Sequence, residues 1–90
     1  MILETDEEFD LADKLWAIAQ SHRPDQYDPA GMSGEPPVDI AIAISGVQMG
    51  WFTVPRELVE QAATIYATRD DYSARAVMRD IKSVLEILSR

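Results

Sequence analysis

The chain has 90 residues, 47% of them hydrophobic, which supports one folded core and little more. It contains no cysteine, which excludes disulfides, thiolate metal sites and a cysteine nucleophile. Sixteen acids against eight lysines and arginines give a net charge of −8, which disfavours nucleic acid and anionic membrane as partners and favours a basic one.

That charge is uneven. Residues 1–28 hold eight acids against Lys14 and Arg23, residues 29–54 hold Glu35 and Asp39 with no base, and residues 55–90 balance six acids with six bases. All the excess therefore lies in the first 39 residues. The opening "MILETDEEFD" has neither a basic region nor a long apolar run, so no secretory leader is expected. No stretch approaches the roughly 20 apolar residues of a membrane span, and a soluble, cytoplasmic protein is the expectation.

In chain order, the first predicted element is a helix at about residues 6–21. Thr5 and Glu8 match a capping box, and Asp6, Glu7 and Glu8 crowd the first turn, where the helix dipole favours anions. Phe9, Leu11, Ala12, Leu15, Trp16, Ile18 and Ala19 share one half of the wheel, while Asp6, Asp10 and Asp13 stack on the other. Pro24 stops the pattern. Residues 22–37 carry four of the five prolines and two of the four glycines and read as a loop, long for a small domain.

From Val38 to Ile44 the pattern "VDIAIAI" alternates strictly, as a strand does. Ser45-Gly46 turns the chain into a second strand, "VQMGWFTV", with Gly50 as a bulge, so a β-hairpin is predicted over about 38–54. A helix from Pro37 to Met49 is the rival, since Ile40, Ile44 and Val47 also share a helical face. An internal glycine and five β-branched residues count against it. Two helices follow, at about 55–69 and 73–89, the last with Ala74, Val77, Ile81, Val84 and Leu88 at spacings of three and four. The expected architecture is a single small α+β domain, 1–90, ordered α-β-β-α-α, with the hairpin covered by helices. A two-stranded sheet leaves two open edges, so pairing with a second copy as a homodimer is a further expectation.

Candidates for chemistry are few. His22 is the one histidine and sits just past a helix end, where it would face the last carbonyls. Ser33 in "AGMSGE" lacks the second glycine of a nucleophile elbow. No phosphate-cradling glycine loop, calcium loop or zinc ligand set occurs, and Asp70 and Asp71 suit the start of the last helix. Neither catalysis nor a cofactor is expected.

From Trp51 onward, "WFTVPRELVEQAATIYATRDDYSARAVMRDIKSVLEIL" loosely resembles a ribbon-helix-helix DNA-binding domain. The resemblance implies a dimer whose paired strands enter the major groove. The strand positions here carry no lysine or arginine, and Arg75, Arg79 and Lys82 form a basic stripe on the final helix instead. A dimeric regulator or antitoxin-type partner is the second functional expectation.

The first expectation is a non-catalytic protein-binding module. Asp6, Asp10 and Asp13, with Glu4 and Glu7 beside them, repeat about once per helical turn, a spacing of roughly 5–6 Å. Such a ladder can imitate a nucleic-acid backbone and occupy a basic groove. In size and charge the chain is similar to the small acidic inhibitors of phages and mobile elements, anti-CRISPR proteins and other DNA mimics among them. That similarity implies an inhibitor or regulator of a basic, nucleic-acid-handling complex. Tyr27 in the long loop and Trp51 are the predicted aromatic anchors.

Overall fold

The computed structural model describes residues 5–90, and among them it is all-helical with no strand. Four α-helices, α1 (Asp6–His22), α2 (Pro36–Gln48), α3 (Arg56–Ala67) and α4 (Tyr72–Leu88), are accompanied by a 3-10 turn at Pro29–Gly31. The expected α+β fold is therefore overturned, and so is its hairpin: residues 38–48 continue one helix, and 51–54 are irregular.

The reason lies in the ends of α2. Pro36 and Pro37 occupy its first turn, where a missing N–H costs nothing and the fixed φ suits a helix. At the other end Gly50 takes φ +76°, its N–H donates to Val47 O at 3.1 Å, and the Trp51 N–H donates to Gly46 O at 2.8 Å. Those two bonds around a left-handed glycine form a Schellman stop. The glycine expected as a strand bulge is a helix terminator. Gly46 is tolerated mid-helix because Phe52 and Tyr27 close over it: an added Cβ would collide with the edge of the Phe52 ring and lie 2.8 Å from Tyr27 Oη. Alternation at 38–44 arises because α2 is apolar nearly all round, burying Ile40, Ala43, Ile44 and Val47 and leaving Val38, Ala41 and Ile42 partly or wholly uncovered.

The other helices match their periodicity. In α1, Thr5 Oγ1 accepts from the Glu8 N–H at 3.2 Å, and Leu11, Ala12, Leu15, Trp16 and Ala19 are buried. In α4, Asp71 caps the start by accepting from the Ala74 N–H, and Ala74, Val77, Ile81 and Val84 face the core. Arg56 at the start of α3 donates to Ser89 Oγ at 2.7 Å, tying it to the end of α4.

Helices α1 and α4 each pack on both α2 and α3, so the four form a ring with α1 and α4 at opposite corners. His22 at the end of α1 stacks on Phe52 just beyond α2, at 5.6 Å, and Arg23 lies over the Trp51 ring at 4.1 Å. The ends of α1 and α2 are thus neighbours, and the two helices run the same way. The loop over 23–35 is long because it must carry the chain back along the molecule. Tyr27 anchors it, buried edge-on to Trp16 and Phe52 and donating its hydroxyl to Ile42 O at 3.1 Å.

Candidate interaction surfaces

The exposed turn positions of α1 carry Asp6, Glu7, Asp10 and Asp13. Glu7 accepts from Gln61 Nε2 of α3 at 3.2 Å. Asp6, Asp10 and Asp13 have no hydrogen-bond or ion-pair partner among the described residues. Their spacing of four and three puts them on one strip of the helix. Glu4, grouped with them from the sequence, lies outside the described residues.

A fourth acid of the same turn behaves differently. Glu8 points inward on the stripe of Leu11, Ala12 and Leu15 and is buried. Its Oε1 accepts from Arg69 Nη1 at 2.7 Å and its Oε2 from the Tyr66 hydroxyl at 3.2 Å. Arg69 also donates through Nε to Asp71 Oδ1 at 3.1 Å. Burial works against the charged guanidinium, but the bonds to Asp71 and Glu8 outweigh it and raise the Arg69 pKa. The bond from Arg69, with help from the Ala74 N–H, pulls the Asp71 pKa down. This cluster is a lock between the start of α1 and the α3–α4 turn, and its charges are satisfied internally.

Asp39 is the second buried acid. Its Oδ1 accepts from the Ser33 N–H at 2.8 Å and the Ser33 hydroxyl at 2.9 Å, and Oδ2 accepts from the Gly34 N–H at 3.1 Å. Three donors satisfy the carboxylate and fix the loop entering α2. Ser33 serves this turn, since its hydroxyl proton is committed to Asp39. His22, expected to face the last carbonyls of α1, is stacked on Phe52 instead. Among the described residues no three His, Asp or Glu side chains are grouped to hold a metal.

The two aromatics singled out from the sequence separate. Tyr27 is buried in the core, whereas Trp51 is half-exposed beneath Arg23. The structure does not bring either ring into the acidic strip of α1.

A groove of about 230 Å³ runs between α2 and α4, lined by Val38, Ala41, Ile42, Tyr72, Ala76 and Asp80 among others. Ile42 is 40% and Tyr72 77% exposed. Beside Tyr72 on the outer face of α4 stand Arg75, Arg79 and Lys82, all exposed. Sequence reasoning missed this surface because it assigned the α2 wall to a hairpin.

No helix among the described residues is long and apolar enough to cross a membrane. Comparison with known proteins returns nothing: no protein-family model, curated protein or solved structure matches this chain.

Proposed function

We propose that this chain is a non-catalytic, cytoplasmic protein-binding module that docks the outer face of α1 onto a basic surface of a nucleic-acid-handling complex and so regulates or inhibits it. The observation that carries the proposal is the strip of Asp6, Asp10 and Asp13, exposed on one face of a single helix and, among the described residues, unpaired. A carboxylate already paired within its own fold has less to offer a partner, and Glu8 and Asp39 are of that kind. The three strip residues are free to pair with arginines and lysines that otherwise contact phosphate. The ribbon-helix-helix alternative loses its main support, because residues 51–54 form no strand to pair across a dimer.

The test is capture of partners from host lysate by the tagged protein, at low and high salt, beside an Asp6→Lys/Asp10→Lys/Asp13→Lys variant. A basic complex held by the wild type, released by salt, displaced by added duplex DNA and absent from the variant is the expected result. Partners retained equally by wild type and variant would remove α1 as the contact and sink the proposal.

A further inference from the structure

The apolar groove between α2 and α4 is bordered by a row of basic residues. Val38, Ala41, Ile42, Ala76 and the buried Val77 line it, with the strongly exposed Tyr72 at its edge as a lip. Arg75 and Arg79, three and seven residues beyond Tyr72, share that lip's face of α4, and Lys82 continues the row. Arg79 and Lys82 have no ion-pair partner among the described residues, and Arg75 is held only by the fully solvated Asp70, at 2.9 Å. Inside the groove Asp80 accepts from Gln48 Nε2 at 3.5 Å. A basic partner would be repelled by this row. The groove suits a helix that brings one apolar side chain flanked by carboxylates.

The chain itself carries such a helix. On α1, Phe9 is 42% exposed, and Asp6 and Asp13, three residues before and four after it, share its face. The acidic row 6, 10, 13 and the basic row 75, 79, 82 have the same spacing, four then three. Rows of equal spacing on two helices can be paired rung for rung.

We propose that a second copy of this chain occupies the groove, seating Phe9 against Ile42 and Tyr72 and pairing its Asp6, Asp10 and Asp13 with Arg75, Arg79 and Lys82. Because α1 and α4 stand at opposite corners of the ring, one copy cannot satisfy both faces against a single partner by a two-fold axis. The contact is head-to-tail, so assembly grows with concentration past the dimer. The net charge of −8 on each copy opposes it at long range, and salt near physiological strength screens that repulsion beyond roughly 8 Å. Assembly would cover the acidic strip, so it competes with any partner bound there. The inference does not depend on such a partner existing.

Sedimentation of the full chain over a wide concentration range reads the result. Wild type should move from monomer to species larger than a dimer. Asp6→Lys/Asp10→Lys/Asp13→Lys alone and Arg75→Glu/Arg79→Glu/Lys82→Glu alone should each stay monomeric, and their equimolar mixture should associate again. All six positions are exposed, and helical circular dichroism checks that each variant is folded. Ile42→Lys, which leaves both charge rows intact, should also stay monomeric. A wild type that remains monomeric throughout, a mixture that fails to associate, or an Ile42→Lys variant that assembles normally would each overturn the proposal. The α4 variant leaves the α1 strip untouched, so loss of assembly and loss of partner capture are separable.

Discussion

Glu8 and Arg69 stand 61 residues apart in sequence and 2.7 Å apart in space, and they join the first turn of α1 to the turn that links α3 and α4. The carboxylate is buried, and its second oxygen is held by the Tyr66 hydroxyl. Breaking such a pair from one side strands a charge, which costs more than the pair contributes when whole. The guanidinium is still 14% accessible, and its ring-face contact with Tyr66 lies at 5.2 Å.

Arg69→Met should therefore lower stability by about 2–3 kcal/mol, at or below the low end of the roughly 3–5 kcal/mol for a buried pair because water reaches the arginine. Glu8→Leu with Arg69→Met should cost less than the sum of the single changes. Urea unfolding of the four proteins in this double-mutant cycle checks it, and strictly additive losses would mean the pair is not coupled.

Asp71 supplies a pH dependence of known sign. The hydrogen bond from Arg69 holds its pKa below the ordinary aspartate value. The folded state thus binds its proton less readily than the unfolded chain does. The stabilisation is complete above the unfolded pKa and is lost as pH falls through the lower folded one. Asp71→Asn keeps a good helix cap and removes only the charge. The stability gap between wild type and this variant should be constant near neutrality and close below about pH 4. Thermal melts across pH 2 to pH 7 read it directly.

Gly46 and Phe52 make a packing prediction. Gly46→Ala would normally favour a helix, by roughly 0.5–1 kcal/mol. Here the added methyl meets the Phe52 ring, so the change should destabilise by about 1–3 kcal/mol. In a Phe52→Val background the same substitution should cost less, with Tyr27 Oη, 2.8 Å from the added methyl, as the remaining obstacle. Equal costs in both backgrounds would show that the ring is not the obstacle.

The sequence made three of the four α-helices legible because each has one apolar face and one polar face. Asp71 and Thr5 also announced their caps through residue type and position. α2 was misread because its polar face is missing: "IAIAI" satisfies period two as well as period 3.6 when both sides are apolar. The deciding signals lie at its ends, Pro36-Pro37 and Gly50, residues that suit a loop and a bulge as well as a helix start and stop. Of the candidate contact residues, Asp6, Asp10 and Asp13 are legible as a strip from their spacing, and they and Glu7 are exposed in the structure. Tyr27 is a core residue and not a surface anchor, and a loop residue gives no periodic sign of burial. Glu8 could have been found: it falls at i−3, i−4 and i−7 from Leu11, Ala12 and Leu15, inside the apolar arc. A carboxylate there requires a partner from elsewhere in the chain.

The strap over residues 23–35 has a kinetic consequence. α3 and α4 are antiparallel and joined by a short turn, so they can meet early, with little of the chain to close. α1 and α2 run side by side in the same sense, and their contacts wait until the strap has looped back, with Tyr27 sunk between Trp16 and Phe52. The α3–α4 contact is thus the more local of the two, although closing the longer strap costs only slightly more chain entropy. The groove wall that α2 supplies is therefore held in place by a strap and one buried tyrosine, whereas the α3–α4 pair has its own closure in the bond from Arg56 to Ser89.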